Sequence, residues 1–142
     1  MDQLLKDNLE KQKESAKKYL ESIGPNAVAT TYSYDCMVTL GSAGGGYLNV
    51  DFKKGGSRFA RFEGGFAGAF GGYVGWGTAW FNTPIEELIG KPGAFAVEVV
   101  GILGGTAHVQ ITGSGYIGNC STGGIGAGGG VGAGGGKFEK AS

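Results

Sequence analysis

Residues 47–52, Tyr-Leu-Asn-Val-Asp-Phe, alternate one by one. Leu48, Val50 and Phe52 fall on one face of an extended chain, and Tyr47, Asn49 and Asp51 on the other. A period of two is that of a strand with one buried and one solvated face. Lys53-Lys54-Gly55-Gly56 follows as a turn, and residues 58–63 resume the strand pattern. The texture extends in both directions. Upstream, 27–34 and 36–40 are rich in β-branched and aromatic residues. Downstream, Val74, Trp76, Thr78 and Trp80 share one face, and Tyr73, Ala79 and Phe81 the other. Phe95, Val97 and Val99 alternate with Ala96, Glu98 and Val100, and Ala107, Val109 and Ile111 alternate with His108, Gln110 and Thr112. The later part of the chain offers one helical candidate, a single turn over 84–88 with Pro84 in its first position and Thr83 as N-cap.

This pattern predicts seven or eight short strands about ten residues apart, joined by turns, and so an all-β antiparallel sandwich or closed barrel rather than parallel βαβ units. Glycine decides between the two. It occupies 32 of 142 positions, with only three prolines and no Gly-X-Y period, so collagen is excluded. Glycine inside strands is tolerated where strands bend sharply or backbones approach closely. A small closed barrel supplies both conditions and removes the exposed edges on which such a chain would aggregate. The expectation is a small barrel filled by side chains. An ungapped offset of 59 lays 38–77 on 97–136, matching Val38 to Val97, Val50 to Val109, Phe66 to Ile125 and two Gly-Gly pairs, as two similar four-stranded halves would.

Residues 1–24 have another texture. Residues 1–22 hold ten of the 24 charges and no glycine, and Leu5, Leu9, Gln12, Ala16, Tyr19 and Ile23 line one face of a helix. Gly24-Pro25 ends it. The expected organisation is an amphipathic helix over 1–24 and a Gly-rich barrel domain over 25–142, with the helix docking on the barrel or mediating self-association. This N-terminus is too charged for a signal peptide or a membrane span, which predicts a cytoplasmic protein or one exported without a cleaved leader.

Chemistry is sparse. Lys plus Arg equals Asp plus Glu at 12 each, so no net field favours nucleic acid. Cys36 and Cys120 stand far apart with no metal-ligand spacing, and read as buried free thiols or as one bridge. His108, the sole histidine, falls on the polar face of a strand. Ser114, Cys120 and Ser121 are near in sequence, but no GxSxG elbow accompanies them, so His108 reads as a surface residue unless the fold sets it against a Ser or Cys. The glycine runs do not precede a helix as phosphate loops do. No catalytic residue, metal or cofactor is expected. Val99–Gly136 carries no Asp, Glu, Lys or Arg and repeats Gly-Ala-Gly-Gly-Gly at 126–130 and 132–136. That stretch reads as glycine-zipper helices for lipid or as the last strands of the barrel. Trp76 reads as core, whereas Trp76, Trp80 and Tyr73 exposed together would make a platform for carbohydrate or lipid.

The stretch from Gly71 to Phe138 resembles the rhodococcal virulence-associated proteins, the Vap family. The resemblance rests on Gly75-Trp76-Gly77 leading a strand, on Leu88 in a short turn, on alternating strands around Phe95–Val99 and Ala107–Ile111, and on the Gly-dense close from Gly123 to Phe138. It covers about half of the chain. It implies an eight-stranded antiparallel barrel of two Greek-key halves. It also implies a secreted, non-enzymatic virulence factor acting on the host's endolysosomal compartment, at its membranes or on a host protein. Family members begin with a signal peptide and a variable leader, whereas this chain begins with the charged segment, and 1–62 matches less well. Two other functions remain open from the residues: a membrane-inserting pore component using 99–136, and a lectin-like module using the tryptophans.

Overall fold

The computed structural model describes residues 32–41, 46–67, 72–100, 105–126 and 130–141. The helix expected over 1–24, and the domain boundary after it, lie outside these residues. The described chain forms β1 (Tyr32–Gly41), β2 (Gly46–Lys54), β3 (Ser57–Ala67), β4 (Tyr73–Phe81), β5 (Pro92–Val100), β6 (Gly105–Gly113), β7 (Tyr116–Gly126) and β8 (Gly130–Lys140). All pairings are antiparallel, and the strands close in the order β1-β2-β3-β8-β5-β6-β7-β4. In each half three strands meander and the fourth returns beside the first, giving β4-β1-β2-β3 and β8-β5-β6-β7. These are two Greek keys, joined along β3–β8 and β7–β4.

The internal duplication is real in β1–β2 against β5–β6, where Val38 faces Val50 and Val97 faces Val109, but the offset of 59 does not persist. Phe52 faces Ala60 whereas Lys53 faces Arg58, so Phe59 is an extra, bulged residue in β3. Beyond it the halves correspond at 58, with Phe62 opposite Val50 and Cys120 opposite Val109. The sequence match of Phe66 to Ile125 is therefore corrected. Phe66 points inward and is buried, while Ile125 points outward and is 69% exposed.

Alternation sorts the barrel into an apolar interior and a polar exterior. Leu48, Val50 and Phe52 are fully buried together with Val38, Val97, Val109 and Ile111. Towards the charged end the interior is aromatic. Phe138 packs against Phe52, Phe62, Phe81 and Tyr116 at ring-centroid distances of 5.0–6.1 Å. Ile85 and Leu88, from the β4–β5 connection, join the same core. The turn there is a 3-10 turn over Ile85–Glu87, beginning one residue later than expected, because Pro84 is extended at ψ 135°. Thr83 makes no cap, and its hydroxyl instead bonds Asn82.

The helical glycine-zipper reading of 99–136 is overturned, since its described residues fall in β5–β8 of the barrel. Their glycines let backbones and rings approach: a Cβ at Gly118 would stand 2.3 Å from the Phe81 ring. Among the described residues no helix is long and apolar enough to cross a membrane. The packed apolar interior differs from that of a transmembrane barrel, whose interior is polar. Cys36 and Cys120 are both buried and free, with their thiols hydrogen-bonded to each other. That bond lowers the Cys36 pKa, while the same bond and burial raise that of Cys120.

Tyr116 gives the fold a pH limit. Its ring is buried, its hydroxyl donates to the Pro92 carbonyl at 2.9 Å, and burial pushes its pKa from an ordinary 10 up to about 12. A pKa raised by folding means stability that is complete below the unfolded value and is lost as pH climbs through the folded one. Urea midpoints should therefore fall as pH rises from about 10 towards about 12. The fall should be smaller in Tyr116→Phe; an equal fall in both proteins would contradict this assignment.

Candidate functional site

The barrel is divided by charge along its circumference. β4, β6 and β7 contain no Asp, Glu, Lys or Arg, and β5 contributes only Glu98. The other contiguous half, β1–β3 with β8, carries the remaining strand charges. There Asp51 is buried beneath Arg61 and Arg58, at 2.7 and 3.3 Å. At the charged end, Glu86 pairs with Lys54 and accepts from the Tyr34 hydroxyl. The Lys54 ammonium hydrogen-bonded to it holds the Glu86 carboxyl below its ordinary range.

Register places the outward side chains of the uncharged half in rows. One row runs Trp76, Gly123, Thr106, Val100; the next runs Thr78, Ser121, His108, Glu98; the third runs Trp80, Asn119, Gln110, Ala96. Trp76 is 53% exposed, Val100 58% and Ile125 69%. The core reading of Trp76 is thus corrected. In β4 the odd positions turn inward, where Tyr73 and Phe81 fill the barrel and Gly75 makes room for the Tyr73 ring. Trp76 therefore lies outside. Tyr73 is buried, its hydroxyl bonded to Thr122 Oγ1 at 2.9 Å, so it belongs to no outer platform. Trp80 is half-buried on the outer face, four residues or about 13 Å along the strand from Trp76, too far for one stacked pair.

The middle row brings together groups the sequence left apart. His108 Nδ1 lies 3.2 Å from Ser121 Oγ, and Nε2 lies 3.0 Å from Asn119 Oδ1. An amide oxygen only accepts, so Nε2 carries the proton and Nδ1 is left to accept from the serine hydroxyl. Beside this network lies a shallow hollow of about 370 Å³, lined by Glu98, Val100, Thr106, His108, Ser121 and Gly123 among others. The signal for the pairing was present in the chain. Ser114-Gly115 is a two-residue connection, with Gly113 facing Tyr116, and counting back along β6 and β7 from it sets His108 against Ser121. Among the described residues no group of three or more His, Cys, Asp or Glu could hold a metal ion.

No protein-family model matches the chain, and no curated protein matches it. Among solved structures the chain is similar to virulence-associated protein VapB from the intracellular pathogen Rhodococcus equi, with a TM-score of 0.58 and 22% sequence identity over 78% of this chain and 98% of that one. The resemblance to the Vap proteins is therefore matched in three dimensions, and what the two chains share is the fold of a Vap protein.

Proposed function

We propose that the chain is a non-enzymatic, virulence-associated barrel that acts by binding at host endolysosomal membranes, using the outer face of β4, β7, β6 and β5. The observation that carries this reading is the coincidence of Trp76, Val100 and Ile125, all exposed, with the strands that hold no charge except Glu98. Charged strands resist transfer to an interface, whereas an exposed indole flanked by aliphatic side chains favours it. The filled interior confines the interaction to the surface, so adsorption without leakage is the expected behaviour.

Liposome co-sedimentation and dye release, with zwitterionic and anionic lipids at neutral pH and at about pH 5, test this. Binding without dye release is expected, with a blue shift of Trp76 emission. Replacing Trp76 and Ile125 together by serine should weaken binding about tenfold or more, from the apolar area withdrawn. Leakage would favour the pore reading. An absence of binding under every condition would sink the membrane reading and leave a host protein or a glycan as partner. Quenching of Trp76 by sugars would then identify the lectin-like alternative.

A further inference from the structure

We propose that Ser121 is an acyl acceptor, activated by His108 and oriented by Asn119, that reacts once with activated esters rather than turning them over. This inference stands apart from the membrane reading and rests on the geometry of the middle row. A nucleophilic hydroxyl, an imidazole nitrogen at 3.2 Å and an amide oxygen fixing the tautomer at 3.0 Å meet the geometric requirements for an activated serine. Asn119 is nine-tenths buried, so its amide is held firmly, while His108 and Ser121 are exposed to an incoming group. Gly123, two residues along β7, has open space where a Cβ would stand, and Val100 and Thr106 wall the same hollow. An acyl donor of modest size thus has room beside the hydroxyl and an apolar wall to lie against.

With 4-nitrophenyl acetate the step balances as follows. Ser121 Oγ attacks the carbonyl carbon as its proton passes to His108 Nδ1; the carbon–oxygen bond to the aryl group breaks, nitrophenolate departs, and the imidazole returns the proton to solvent. The reaction stops at acetyl-Ser121 for two reasons. The serine ester has an alkoxide leaving group far poorer than nitrophenolate. The N–H groups of β6 and β7 are also engaged by strands on both sides, so both tetrahedral oxyanions form without a backbone donor, which the activated aryl ester tolerates and the serine ester does not. General-base assistance is worth about 10²–10⁴ in rate, so Ser121 should outpace the other serines of the barrel by on the order of a hundredfold.

The test is a burst of nitrophenolate from the full chain, with the acetylated peptide identified by mass spectrometry. The expected result is one equivalent released, a plateau, and acetyl on Ser121. Ser121→Ala should abolish the burst and His108→Gln should slow it about a hundredfold. Asn119→Ala should also slow it, with Asn119→Asp restoring the rate because a carboxylate oxygen accepts the same Nε2 proton. All three positions lie on the outer face, and circular dichroism checks that each of the four variants folds. Acetyl confined to lysines or the terminal amine, a burst that survives Ser121→Ala, or a Ser121 rate indifferent to His108→Gln would each overturn the proposal.

Discussion

Phe138→Ala is expected to destabilise the barrel by about 3–5 kcal/mol, the cost of truncating a fully buried phenylalanine in a core that cannot collapse onto the void. The residue touches four rings, three of them edge-on, so the loss includes ring-pair energy as well as buried area. Its backbone is also committed. Gly90 N–H donates to the Phe138 carbonyl at 2.8 Å, and Phe138 N–H donates to the Lys91 carbonyl at 3.1 Å. The side chain thus anchors both the strand that joins the two Greek keys and the β4–β5 connection. Stabilities of ordinary domains are about 5–15 kcal/mol, so much of the total is at stake. Thermal denaturation should show a midpoint lowered by roughly 10–20 °C. A loss below about 1 kcal/mol would mean that the four-ring cluster is not the centre of the core.

How much of this was legible in the chain differs from strand to strand. The alternation in 47–52 and the turn read over Lys53-Lys54-Gly55-Gly56 specified the β2–β3 hairpin; the structure keeps the hairpin but shortens the turn to Gly55-Gly56, each with positive φ, because Lys53 and Lys54 still pair with Arg58 and Ser57. Alternation divided β4 correctly into two faces but did not say which was inside. That choice depends on the whole interior, where inward glycines admit the rings of Tyr73 and Phe81 and leave Trp76 outside. The bulge at Phe59 was invisible, because an extra residue in a strand changes neither composition nor local period until the facing strand is known. It defeated the ungapped repeat beyond β2. The site was the least legible part. His108, Asn119 and Ser121 looked unrelated because cross-strand neighbours are separated in sequence by the length of the hairpin, and only register unites them. The division of charge between the two halves of the barrel was likewise hidden until strand order was known. β4 is far from β6 and β7 in the chain, yet it sits beside β7 in the closed sheet.

The glycines of β7 allow a sharper test of what the composition is for. Gly123 and Gly124 are neighbours, neither has a positive φ, and a reading from composition treats them alike. The structure does not. A Cβ at Gly124 would stand 2.0 Å from the Val74 carbonyl oxygen and 2.4 Å from the Gly75 Cα, which belong to the backbone of the adjacent strand and have no rotamer in which to escape. At Gly123 a Cβ would meet nothing within 4 Å. Gly124→Ala must therefore push β4 and β7 apart at a ladder both halves of the barrel depend on, and should cost about 3 kcal/mol or more, at the upper end for overpacking. Gly123→Ala removes freedom only from the unfolded chain and should stabilise by about 0.4–1 kcal/mol. Urea denaturation of the two variants beside the parent reads both effects. Similar losses in both would mean that glycine is needed along the whole strand for backbone reasons. Opposite signs would separate the two uses: at Gly124 glycine lets two strands meet, and at Gly123 the fold has no need of it. The bare backbone at Gly123 is then a property of the outer face, where it leaves the hollow beside Ser121 open and the indole of Trp76 uncovered.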